Sequence, residues 1–137
     1  MANTFTAPFA QTTKTGFVEA TAAAVITTSA PTNTLLIGTA GVNGAIMTAL
    51  SAMPRSTVTA TGLYLFISKN TGTTKLLIDS ELMSALTVSA TVAVDETPFT
   101  RISEATPIRL EAGDQIYIGI GVALAAGVVF KAEWTDF

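Results

Sequence analysis

The sequence predicts an all-β fold, an antiparallel β-sandwich and most simply a jelly roll of about eight strands. Three observations carry this. From Phe17 onward Thr, Val and Ile recur in short runs, turn-forming residues interrupt those runs every eight to twelve positions or so, and few segments show helical periodicity. With 137 residues the chain is one domain, long enough to bury a sizeable core without a staple.

Residues 1–16 have neither strand nor helix periodicity and read as an extended N-terminal arm, with the sandwich spanning 17–137. The arm is rich in Thr and Ala and closes on Lys14-Thr15-Gly16. A frayed terminus is the alternative, but Phe5 and Phe9 favour an arm that docks, because solvated tails are poor in aromatics.

Phe17–Thr28 reads as the first strand, although Ala20–Ala24 is compatible with helix, and Ala30-Pro31-Thr32-Asn33 ends it. Leu35–Thr39 is a short buried strand, followed by Gly41-Val42-Asn43-Gly44, where Asn-Gly is a favoured hairpin pair. In Ala45–Met53, Ile46, Thr48 and Leu50 alternate against Met47, Ala49 and Ser51; Pro54 stops this strand or places it at an edge. Val58–Ser68 puts Leu63, Leu65 and Ile67 on one face and Tyr64 and Phe66 on the other, so both faces should be covered. Lys69-Asn70-Thr71-Gly72 then turns the chain into a return strand, Thr74–Ile78.

Ser80–Leu86 reads as a helical turn capped by Asp79 or Ser80, with Glu81 in its first turn, and Thr87–Val94 as a half-exposed strand. Pro107–Leu110 is a short strand and Glu111-Ala112-Gly113-Asp114 a tight turn with Gly available for positive φ. Gln115–Val122 follows, and a bend at Ala125-Ala126-Gly127 leads into Val128–Phe137. There Phe130, Ala132 and Trp134 share one face, and the closing aromatic suggests an end tied into a sheet.

Composition speaks about association. Hydrophobic residues make up 49% of the chain and charged residues 12%, against about a quarter charged in ordinary soluble domains. Such a weakly charged surface is expected to pack against copies of itself or another protein. The net charge is −3 and the seven basic residues are scattered singly, which leaves no footprint for nucleic acid. The most apolar stretch, Ile116–Phe130, is shorter than a spanning helix and broken by Gly119, Gly121 and Gly127, so no membrane partner is expected. Met1–Pro8 has no basic region followed by an apolar run, so no secretory leader is read and folding in the cytoplasm is expected.

Catalytic templates fail at required residues. Without Cys or His there is no disulfide, no thiol nucleophile and no histidine base. No Ser has Lys three positions on, the glycines at 38, 41 and 44 lack the Gly-Lys-Ser/Thr of a phosphate loop, and Gly119-Ile120-Gly121 lies within a strand. Asp79 with Glu81 and Asp95 with Glu96 offer the oxygens that glycosidases and Ca²⁺ sites use, but adjacent acids in turns are expected to be solvated loop charges. Asp114 is expected to bond local backbone amides. The chain is therefore read as no enzyme, with no cofactor and no metal. The interface candidates are Phe5, Phe9, Trp134 and Phe137, Trp134 being equally suited to the core.

Leu110-Glu111-Ala112-Gly113-Asp114-Gln115-Ile116-Tyr117-Ile118 resembles the L-x-x-G-D-x-[IV]-[YW]-[VIL] turn and strand of C1q and tumour-necrosis-factor-like jelly rolls. The Thr-, Ala- and Gly-rich, Cys-free texture of the whole chain resembles small β-rich virion proteins of tailed bacteriophages, head decoration proteins among them. That resemblance implies a capsid decoration or cement subunit, assembled in the host cytoplasm and located in the virion. It implies a homotrimer docked on the major capsid protein or another virion protein. The alternative is a receptor- or glycan-binding module of a phage tail, fibre or head spike.

Overall fold

The computed structural model describes residues 12–69 and 73–137. These form nine strands: β1 Thr12–Ala20, β2 Leu35–Thr39, β3 Ala45–Pro54, β4 Thr61–Ser68, β5 Leu76–Met83, β6 Thr97–Pro98, β7 Ile108–Leu110, β8 Gln115–Ile120 and β9 Val128–Asp136. One sheet has the order β1-β9-β3, with β6 and β7 both pairing the far side of β3; the other has the order β2-β8-β4-β5. All strand pairs are antiparallel. If β6 and β7 are taken as one interrupted strand, eight strands run in the orders 1-8-3-6 and 2-7-4-5, the topology of a jelly roll. The predicted fold class is thus the observed one.

The core lies between the sheets. Met47, Leu50, Phe130 and Trp134 face inward from one sheet and Leu63, Leu65, Ile116, Ile118 and Ile120 from the other, with Phe99, just past β6, buried in the same cluster. Trp134 lies over the backbone of β2 so closely that a Cβ at Gly38 would stand 2.5 Å from its Cη2. Only glycine permits that approach. β9 buries every second side chain, Val128 through Asp136, as its alternation predicts.

Several expectations are corrected by the way strands find partners. Thr12–Gly16, assigned to the arm, are part of β1, which pairs with β9 from Thr12↔Asp136 onward. Their polar side chains at an edge are exposed on both sides, so they carry no apolar period. The first strand ends at Ala20 rather than Thr28. Asn43-Gly44 makes a turn, Gly44 N–H bonding Gly41 C=O with Gly44 at φ +86°, but the turn carries the chain from one sheet to the other and closes no hairpin.

In β3 a bulge at Thr48 shifts the phase, so Met47 and Leu50 both face the core, against the predicted alternation. A second bulge, at Ile78, lets β5 continue through Met83 where a helical turn was expected. Thr87–Val94 alternates in sequence but belongs to no strand; the Val88 N–H bonds the Thr57 hydroxyl rather than a backbone ladder. The long strand predicted from Val58 begins at Thr61, Val58 keeping one bridge to Leu86, and β8 stops at Ile120, short of Val122.

Residues 21–34 lie across the outer face of the second sheet. Ala24 N–H bonds Ile120 C=O, Asn33 Nδ2 donates to Ala23 C=O, and Lys75 N–H bonds Ser29 C=O. Lys75 Nζ reaches Thr34 Oγ1 at 2.8 Å and sits 4.4 Å from the Tyr117 ring centre. Beneath this segment Phe66 is 1% exposed and Tyr64 meets it edge-on, so both faces of β4 are covered as the sequence suggested.

Candidate interaction surface

The outer face of the first sheet has no such cover. The register places Phe17, Lys131 and Ser51 in one row across β1, β9 and β3, and Glu19, Val129 and Met53 in the next. Ser51 is small, so the sheet dips between the Phe17 ring on β1 and the Pro54–Arg55 and Glu96 side of the face. The result is a groove of about 290 Å³ lined across its floor by Ser51, Lys131, Val129 and Met53. Phe17 stands 67% exposed beside it. At its edge Arg55 Nη1 holds Glu19 Oε2 at 2.7 Å, and Lys131 and Glu96 also line it. A mostly apolar lining with two basic and two acidic side chains around it suits a neutral, apolar occupant.

A second apolar feature is β5. Among the described residues it pairs only with β4, and Leu76, Leu77, Ile78 and Leu82 along it are exposed, Leu82 by 68%. An edge strand with an apolar run is a template for pairing unless something blunts it. The bulge at Ile78 and the acidic pair behind it do part of that.

The acidic residues serve structure. Asp79 is buried and its Oδ1 meets Arg101 Nη1 at 2.9 Å, while Glu81 Oε1 accepts from both the N–H and the hydroxyl of Thr100. Together they clamp the segment after β6 against β5. Asp95 and Glu96 are exposed, as expected for loop charges. Asp114 Oδ2 accepts the Glu111 N–H at 2.8 Å and Lys69 Nζ at 3.0 Å, which makes it the turn residue predicted. Those hydrogen bonds, to Asp114 first and then Glu111, raise the Lys69 pKa above its ordinary 10.5. Among the described residues no group of three or more acidic side chains is placed to hold a metal ion. No helix among them is long and apolar enough to cross a membrane.

Of the four interface candidates, Phe5 and Phe9 lie outside the described residues. Trp134 is 5% exposed and belongs to the core, with its Nε1 unpartnered. Phe137 is half-buried and its N–H bonds Gly44 C=O at 3.1 Å, tying the end of β9 to the β2–β3 turn. Sequence reasoning passed over Phe17, Met53 and Val129. The available signal was an aromatic and an aliphatic on the polar side of two strands otherwise occupied by Thr, Glu and Lys.

No family model matches the chain, and no curated protein matches it in sequence. Among solved structures, a chain of the structure of infectious bursal disease virus Gt strain superposes with a TM-score of 0.32 and 10% sequence identity. That superposition covers 94% of this chain and 30% of the viral one, and we build nothing on so loose a likeness.

Proposed function

We propose that the chain is a non-enzymatic structural subunit of a virion, a capsid decoration or cement protein of the tailed-phage kind. It works through symmetric contacts with its own copies, as a trimer, and with a capsid protein. The observation that carries this reading is the uncovered apolar surface: a groove on one sheet and an apolar edge strand on the other, in a chain with only 12% charged residues. Apolar area left in water on two sides of a small domain favours association, at roughly 25 cal/mol for each Å² removed from solvent. Asp79, Glu81 and Asp114, engaged in clamps and a turn, support a structural rather than a catalytic role. A glycan-binding module has less behind it, since the one Trp of the chain is buried.

The test has two parts. Light scattering over a range of concentrations should give a stable trimer mass, and the protein should co-sediment with capsids of its own virus stripped of it. A monomer at every concentration that also fails to co-sediment would sink the proposal.

A further inference from the structure

The groove on the first sheet has a size, a charge and a position that together select an occupant. A cavity of about 150 Å³ accepts a benzene ring, so 290 Å³ takes a phenyl group with some of its backbone. The groove's lining is mostly apolar and the charges around it cancel, Lys131 and Arg55 against Glu96 and Glu19, with Arg55 already held by Glu19. Residues 1–11 carry Phe5 and Phe9 and no charged side chain. Four positions apart, the two rings would fall on one side of an extended chain.

Reach decides whose segment it is. β1 runs from Thr12, beside Asp136, toward Glu19, beside Val129, and Val129 is level with Met53. The middle of the groove therefore lies seven residues along from Thr12, about 23 Å at 3.3 Å per residue. Phe9 precedes Thr12 by three residues, which span at most about 11 Å. A chain's own Phe9 falls short of its own groove even if the segment doubles straight back.

We propose that this groove receives Phe9 of a second copy of the chain, so that subunits are joined by exchanged N-terminal segments. The idea deepens the reading of the protein as a self-assembling subunit and rests on it. Donor segment and acceptor groove are different surfaces, so the contact either repeats head to tail until a ring closes or is exchanged reciprocally in a pair.

The chain has no cysteine, which makes single-thiol variants clean probes. A Phe9→Cys chain is mixed with a size-tagged Met53→Cys chain under mild oxidation, and covalent heterodimer is measured by mass. Val122→Cys, exposed just past the end of β8 and on neither apolar surface, replaces Met53→Cys in the control, and Phe17→Cys gives a second groove probe should Met53→Cys fold poorly. The expected result is heterodimer forming at least several-fold faster with the groove variants than with the control. Rates equal to the control overturn the proposal, as does a disulfide that closes within one chain of the double variant Phe9→Cys/Met53→Cys. The native mass of the unsubstituted chain is read alongside. An assembled chain without preferential cross-linking overturns the exchange alone, whereas a chain monomeric throughout overturns the assembly reading with it.

Discussion

The outer faces of the two sheets differ in one respect, whether the chain covers them itself. On the β2-β8-β4-β5 sheet, residues 21–34 close over Phe66 and turn an exposed face into a small second core. On the β1-β9-β3 sheet the corresponding face keeps Phe17 in water and a groove beside it. The hydrophobic composition of the sequence is thus satisfied internally on one side and left available on the other. Two aromatic residues on strand faces that look alike in sequence have opposite roles.

That contrast can be broken by substitution. Phe66→Ala should cost the most, about 3–5 kcal/mol, read as a lower urea midpoint with little change in slope. A loss below about 1 kcal/mol would mean that residues 21–34 cover nothing of consequence. Gly38→Ala should cost about 1–3 kcal/mol, since the new methyl group meets the Trp134 ring and the neighbouring strands must shift. An undisturbed midpoint together with unchanged Trp fluorescence would refute the close approach. Asp114→Ala should cost about 1–3 kcal/mol, because it leaves the Glu111 amide without its acceptor and Lys69 with only the Glu111 carboxylate.

Phe17→Ser should change stability by no more than about 0.5 kcal/mol while weakening self-association in sedimentation. If it destabilises the domain as Phe66→Ala does, the two faces are alike and the comparison fails. The smallest effect concerns Lys69. Its folded pKa is raised, so the contribution of its ion pairs is present in full below pH 10.5 and is lost as pH rises through the higher folded value. The melting temperature of the parent should therefore fall more steeply above pH 10.5 than that of Lys69→Met; parallel curves would show that the pair contributes nothing.

Legibility followed the same divide between what one strand carries and what several make together. β7, β8, β9 and the turn at Gly113 were readable because each strand alternates without interruption and Gly113 and Asp114 supply the turn chemistry. β3 and β5 were misread at Thr48 and Ile78, where a single bulged residue reverses which side faces in. Thr12–Gly16 are strand because β9 offers them a ladder, which no local feature announces. The groove was invisible for a related reason. Phe17, Ser51 and Val129 lie far apart in the chain and become neighbours only through the register of β1 and β3 on β9.

The place of β9 also sets the order of events during synthesis. The last strand lies between the first and the third, so β1 has no ladder partner until residues 128–136 exist. A nascent chain must hold β1 unpaired, and β3 with only the short β6 and β7 beside it, until residues 128–136 have been made. Non-local pairing of this kind folds slowly, on the order of milliseconds to seconds, and leaves strand edges open to aggregation meanwhile. Removal of the final nine or so residues would take out the middle of a sheet, so chains stopped early should be found in the insoluble fraction rather than as smaller native subunits.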